Sequence, residues 1–563
     1  MMARRAKHTP RRQVRRCHGF RIAVAVALPA AAVGGLAGTS AAAPTAAVPC
    51  AVSSLISAIS TANTAPAGGS ITLASGCVYT LTSANNTTDG GTGLPVITGH
   101  VSVTGSATIA RSAAAGTAAF RIFDVASGGS LALNSVTLSN GLADDGVNGG
   151  GAIFSRGSLT VTRATFSGNS SPAMTGTSGG AINSGGSLTV SLSTFTGNTA
   201  QEGGGIFNQS TTGAATVTDS TFTGNAATIF GGGALVTADG TTNLTRDTFS
   251  RNIATGSAGG GAIDNDAIVN VTDSTFTGNT AGSNGGGAVQ NFGTATISWS
   301  TLSANSSPFG ANLHNFTTGS PMTVSDSIVA NGLGGGSNCS GSPAIVDGGY
   351  NIDSGTSCGF SAANHSENSV NPGLGALAPN GGPTQAMALA ANSPAVNAIP
   401  ATVPGCAHST DQRGVSRPQG PACDIGAYEL IIKVPPPPGG PIRGYAGKCV
   451  DDFHGGTGNG TRIDVWGCNG TAAQRWVFAS NGQLRISGKC LDDTRFGGNG
   501  TRLQLYTCTG ASNQKWTHRS NGEYVLRSNG LCLDDPGFSK TNGTRLDIWH
   551  CNGGANQRWS LPA

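Results

Sequence analysis

Gly447-Lys448-Cys449-Val450-Asp451 … Gln474-Arg475-Trp476 is followed by Gly488-Lys489-Cys490-Leu491-Asp492 … Gln514-Lys515-Trp516, and then by Gly530-Leu531-Cys532-Leu533-Asp534 … Gln557-Arg558-Trp559. Cys, Asp, an aromatic, a second Cys and Gln-x-Trp recur in that order three times, with Trp spacings of 40 and 43 residues. A period in this range marks a repeat architecture, in which each copy is one supersecondary unit and the copies share a core.

These copies resemble the ricin B-chain type lectin domain, a β-trefoil with a Gln-x-Trp signature, over roughly residues 442–561. The resemblance implies a carbohydrate-binding module with one shallow pocket per repeat. In that family a carboxylate after the first Cys accepts bonds from two sugar hydroxyls, and an aromatic before the second Cys stacks on the ring. A polar residue two before the aromatic and the Asn before Gln-x-Trp complete the set. Such a mix of flat hydrophobe and fixed polar groups suits a pyranose. Carried over by position, the second repeat supplies Asp492, Gln504, Tyr506 and Asn513. The third supplies Asp534, Asp547, Trp549 and Asn556, with Asp in the Gln place. The first supplies Asp451, Asp464 and Trp466, but Ala473 stands where Asn is expected. Gln474, Gln514 and Gln557, with Trp476, Trp516 and Trp559, read as core and turn residues.

A second repeat fills residues 136–331. Thr165-Phe166-Ser167-Gly168-Asn169 returns at Thr194–Asn198, Phe222–Asn225, Phe249–Asn252 and Phe276–Asn279, then as Leu302–Asn305 and Ile328–Asn331. Interleaved is a Gly-Gly-Ala-Ile type motif, at Gly150–Ile153, Gly179–Ile182 and onward to Gly286–Val289. A period near 27 with short alternating runs and Gly-marked corners fits one coil of a parallel β-helix, each coil covering the next. Identical positions then stack about 4.8 Å apart. The Phe residues are expected to form an internal stack and the Asn residues an amide ladder that satisfies buried polar groups. This stretch resembles the repeats of polymorphic outer-membrane proteins, within the pectin-lyase-like β-helix class. Ser54–Asn63 has helix periodicity and suits a cap on the first coil. The fold class is all-β, a right-handed parallel β-helix followed by a β-trefoil.

On the coils, polysaccharide lyases and hydrolases need clustered carboxylates or Ca²⁺ ligands with a basic residue. The column three residues before Phe reads Arg163, Leu192, Asp219, Arg246, Asp273 and Trp299, and is expected as a charge ladder. A column after Gly-Gly-Ala reads Phe154, Asn183, Phe207, Val236, Asp264, Gln290 and His314, beside Asn208, Asn265, Asn291 and Asn315. Asp264, Asp266 and His314 are the catalytic candidates here, with Asp144-Asp145, His365 and His408 behind them. No carboxylate cluster is visible in the linear sequence.

The ends set the context. Eight basic residues precede an apolar run, Ile22 to Leu36, and a small-residue region, Ala41-Ala42-Ala43; this is the layout of a signal peptide over residues 1–43. Its removal takes eight of 31 basic residues and no acidic ones, leaving 23 basic against 27 acidic. The formal +4 therefore belongs to export and points to no nucleic acid. The apolar run is too short for a membrane span, which needs about 20 residues, and the mature chain is expected to have no transmembrane segment. Arg15-Arg16 leaves open whether export is general or twin-arginine.

Thirteen Cys become twelve without Cys17, an even number in an exported chain. Proximity suggests Cys50–Cys77, Cys339–Cys358, Cys406–Cys423, Cys449–Cys468, Cys490–Cys508 and Cys532–Cys551. Cys groups with zinc-ligand spacing do not occur, so no metal and no cofactor are expected.

Domains are read as β-helix with its cap over 44–370, a segment resembling the choice-of-anchor element over 371–430, a Pro-rich linker over 431–441, and the lectin over 442–563. A Pro run of this kind is a semi-rigid spacer. The leading functional reading is a secreted, monomeric, extracellular carbohydrate-binding protein, a β-helix rod whose lectin attaches it to polysaccharide or cell-surface glycan. A polysaccharide lyase or glycoside hydrolase with a β-helix catalytic domain, and a structural adhesin stalk, stay open as alternatives.

Overall fold

A computed structural model describes residues 47–562, apart from 145, 147, 173–177, 257–258, 284, 317–319, 408, 432–438 and 495. Residues 1–43, read as a signal peptide, with Asp145, His408 and most of the Pro run, lie outside the described residues.

The described residues are nearly all β with one α-helix, Val52–Thr64. Leu55, Ile59 and Ala62 bury its inner face against the strand Gly69–Thr72 and join the main core. Gly69 is required there, because a Cβ on it would stand 2.2 Å from that of Ala62. Asn63 ties the helix end down, accepting from the Thr98 and Gly99 amides and donating to the Val96 carbonyl. Cys50–Cys77 joins the segment before the helix to the coils. No helix among the described residues is long and apolar enough to cross a membrane.

Behind this cap the chain winds as a parallel β-helix. Successive coils lay their strands on those of the coil before, and the register stays in step through the Phe copies. Phe166, Phe195, Phe222, Phe249 and Phe276 meet face to face, with centroids 4.6–4.9 Å apart and planes within 7°. All five are fully buried. The separation is the strand spacing itself, so the backbone ladder fixes the stack.

Three residues on, Asn169, Asn198, Asn225, Asn252, Asn279 and Asn305 form the expected amide ladder, each Nδ2 donating to the next Oδ1 at 2.8–2.9 Å. Beyond Asn305 the expectation needs correction. Leu302 pairs with Val329, so the last copy is one residue out of phase with Ile328–Asn331. Asn331 falls in the preceding column, where Gly168, Gly197, Gly224 and Gly278 have positive φ, and it too has φ 53°. Asn tolerates that conformation better than most residues. Asn312 and Asn338 continue the ladder instead.

Asn252 accepts from Asn225 and donates to Asn279 and to the Phe222 carbonyl. Asn252→Ala strands buried partners on both sides and is expected to cost about 1–3 kcal/mol. Urea unfolding of the full chain measures this, and an unchanged midpoint would contradict it.

The column Arg163, Leu192, Asp219, Arg246, Asp273, Trp299 and Asp326 turns one corner with φ of 48–58° throughout. Half of the expected charge ladder forms. Arg246 bonds Asp219 through both nitrogens, at 2.7 and 2.8 Å. Asp273 pairs instead with Arg417, at 3.2 Å. Arg417 comes from the 371–430 segment, which is fastened along this corner. Gln412 donates to the Asp247 carbonyl and accepts from Thr275, and Thr384 donates to the Arg246 carbonyl. Leu389, Ala395, Ile399, Cys406, Cys423 and Ile425 form a core of their own with Trp299, Ile328, Ala330 and Ile352. The segment is thus a strap packed on the outside of the coils.

Residues 440–560 build a separate β-unit around Trp476, Trp516, Trp559 and the aliphatic residues between them. All six disulfides pair as the spacing suggested.

Candidate carbohydrate-binding site

Each C-terminal repeat presents one antiparallel strand pair. Lys448–Asp452 pairs with Ile463–Gly467, Lys489–Asp493 with Thr501–Tyr506, and Cys532–Asp534 with Asp547–Trp549. The register sets Cys449 opposite Trp466 and Asp451 opposite Asp464. It sets Cys490 opposite Tyr506 and Asp492 opposite Gln504. It sets Cys532 opposite Trp549 and Asp534 opposite Asp547. Side chains two apart share a face, so each carboxylate, its cross-strand partner and the aromatic lie together. The residues between them, Val450, Leu491 and Leu533, point the other way into the core, which locks the register.

Gln-x-Trp holds this frame from behind. The three Trp indoles donate to the carbonyls of Val450, Leu491 and Leu533 at 2.9–3.2 Å. The three Gln side chains donate to Asp451, Asp492 and Asp534 at 2.7–2.9 Å. Each Gln also accepts a backbone amide, from Asn469, Thr509 or Asn552. These glutamines are buried, as expected, but they also aim the carboxylate, a role the sequence reading did not give them. The recurrence of Gln two before Trp was the available signal.

The three pockets differ in what surrounds the carboxylate. Asp492 takes donors from Gln504, Asn513 and Gln514. Asp534 takes Asn556 and Gln557, both on Oδ1. Asp451 takes Gln474 alone, since Ala473 has no amide. A cavity of about 380 Å³ beside it is lined by Asp451, Phe453, His454, Trp466, Ala472 and Ala473. Tyr506 is 41% exposed and Trp549 45%, so both are open to stacking. Phe453 and His454 were missed in the sequence. They follow the carboxylate by two and three residues and form a second aromatic wall.

Burial pushes Asp451, Asp464 and Asp534 above the usual carboxylate range. Burial, then the neighbouring Asp534, takes Asp547 up to about 7. Arg462 pairs with Asp464 at 3.0 Å and Arg502 with Asp547 at 3.4 Å.

On the coils, the register runs Phe154, Asn183, Phe207, Val236, Asp264, Gln290 and His314, as the repeats predict. Asn265, Asn291 and Asn315 bond in sequence, while Asn208 bonds Thr242 because Thr237 interrupts the column. His314 is separated from Asp264 by Gln290 and bonds Ser340. Burial lowers its pKa. Asp264 is raised by burial, then by Asp266 and Glu202; Asp266 is raised by burial and Asp239. Glu202 rises to about 7 through burial and Asp266. The coils therefore do gather carboxyl groups, contrary to the expectation from the linear sequence. Winding brings together residues up to 64 positions apart, and Glu202 carried no local signal.

Residues 438–559 match the family model of the ricin-type beta-trefoil lectin domain. Serine protease 1 of Rarobacter faecitabidus is 45% identical over 51 residues, which are 9% of this chain and 10% of the protease. Among solved structures, an agglutinin from Abrus precatorius is 27% identical over 22% of this chain and 48% of its own, with a TM-score of 0.21. An exo-beta-1,3-galactanase from Clostridium thermocellum is 29% identical over 24% of this chain and 32% of its own, with a TM-score of 0.21. The chain thus spans about a tenth of the protease and under half of the agglutinin chain. The family match and the threefold Asp, aromatic and Gln-x-Trp frame agree, and residues 438–559 are a ricin-type beta-trefoil lectin domain joined to a parallel β-helix.

Proposed function

We propose that the protein is an exported, extracellular carbohydrate-binding protein in which the β-helix is a rod and the lectin domain holds it on polysaccharide or cell-surface glycan. The observation that carries this reading is the threefold placement of a clamped carboxylate beside an aromatic, exposed at Tyr506 and Trp549 and half-buried at Trp466. Asp492, Gln504, Tyr506 and Asn513 hold one saccharide; Asp534, Asp547, Trp549 and Asn556 hold a second; Asp451, Asp464 and Trp466 hold a third. The carboxylates accept hydroxyl protons and the rings cover the apolar sugar face. Six disulfides suit an oxidising, extracellular setting. The chain acts as a monomer, with the signal peptide over 1–43 removed and the Pro-rich stretch over 431–441 as spacer.

A glycan array probed with the full chain tests this. Binding to neutral saccharides is expected, unchanged by a chelator, because side-chain amides hold Asp492 and Asp534. Binding that disappears with chelator and returns with Ca²⁺ would sink the metal-free reading. A lyase or hydrolase remains the second reading, favoured by the carboxyl groups of Glu202, Asp264 and Asp266. Release of reducing or unsaturated ends from array-positive glycans, lost in Glu202→Gln, would establish it.

A further inference from the structure

The three lectin pockets differ at one cross-strand position. In the second repeat Gln504 faces Asp492, and its Nε2 donates to Asp492 Oδ1 at 2.9 Å. In the third repeat Asp547 occupies that place opposite Asp534, and in the first Asp464 occupies it opposite Asp451. A carboxylate can donate to its neighbour only when it carries a proton. We propose that Asp547 and Asp464 are positioning residues that must hold a proton to orient the sugar-binding carboxylate, so that the first and third pockets bind saccharide in a pH-dependent way and the second does not. This rests on the carbohydrate-binding reading above.

The geometry supports a shared proton most clearly in the third pocket. Asp547 is buried, and its Oδ1 has no hydrogen-bond partner. A bare buried carboxylate oxygen is costly, and a proton on Asp547 would serve as the donor that Gln504 supplies in the second pocket. Asp534 Oδ1 already accepts from Asn556 and Gln557, so the added donor completes the threefold clamp that Asp492 receives from neutral amides alone. The charged groups around Asp547 are Asp534 and Asp535, which favour the proton, and Arg502, half-exposed, which opposes it. Around Asp464 they are Asp451, which favours it, and Arg462 and Arg545, which oppose it; His454 faces Asp451. All three arginines oppose the proton, yet the carboxyls stay raised. Two carboxylates that face each other across a strand pair repel when both ionise.

The sign follows. Below the raised value Asp547 is protonated and the pocket is competent; above it both carboxylates are charged and the clamp opens. Apparent affinity falls with the competent fraction, so the loss approaches about tenfold per pH unit above about 7.

Lactose binding to full-length chains at pH 5.5–9 tests this. Trp466→Ala with Tyr506→Ala leaves the third pocket alone, and Trp466→Ala with Trp549→Ala leaves the second. Third-pocket affinity is expected to fall above pH 7 and second-pocket affinity to stay level. Adding Asp547→Gln to the first background should flatten its profile. Adding Gln504→Asp to the second should install the fall. A third-pocket profile that is level, or one that still falls in Asp547→Gln, overturns the proposal. A second pocket that binds no lactose or array-positive glycan at any pH overturns the carbohydrate reading beneath it.

Discussion

Phe249→Ala is expected to lower the unfolding free energy of the β-helix by about 3–5 kcal/mol. The ring is fully buried between Phe222 at 4.9 Å and Phe276 at 4.6 Å. Its removal leaves a ring-sized void, and the coils cannot close over it. Backbone ladders on Thr248–Ser250 pair this coil with the ones on either side and hold their spacing. Collapse would have to break those ladders and the Asn ladder beside them. Chemical unfolding followed by circular dichroism measures the loss. Sugar binding should be retained, because the core holding Phe249 shares no residue with the core of the lectin. A loss under 1 kcal/mol would mean that the stack contributes little and that the ladders alone set stability.

That prediction rests on residues whose position was legible before any coordinates. Five near-identical copies fixed the phase of the coils, and the Phe and Asn columns fell where the repeat placed them. Phase was lost where the copies degenerate. Ile328 and Val329 are both apolar, so composition could not choose between them; the choice of Val329 follows from its parallel pairing with Leu302. The strap over 384–429 was legible only as a segment, because its partners on the coils lie 126–165 residues away. In the lectin, the pocket residues followed the repeat. The second wall of the first pocket, Phe453 and His454, did not, since the other repeats carry different residues there. Glu202 joined the carboxyl cluster only through winding.

The largest effect on binding is expected from Tyr506→Ala combined with Trp549→Ala. Each residue is exposed beside an Asp held by Gln and Asn. Truncation removes the platform on which the apolar sugar face rests and leaves the polar bonds exposed to water. On a glycan-coated surface the pockets act together, and multivalency strengthens attachment by about 10²–10⁴ without any new contact. Either substitution alone should leave partial attachment through the remaining pockets. The pair should remove nearly all of it, leaving only the weak contribution of the first repeat. Surface plasmon resonance on the array-selected glycan reads this directly. Unchanged attachment in the double variant would show that the sugar binds elsewhere on the chain.

Calorimetric titration of the full chain with the monovalent form of that glycan, at pH 6, is the most direct measurement. Three saccharides per chain are expected, falling to two in Tyr506→Ala and to none when Trp466→Ala and Trp549→Ala are added. Binding that survives in the triple variant with native-like unfolding would contradict the assignment of carbohydrate recognition to the three lectin pockets.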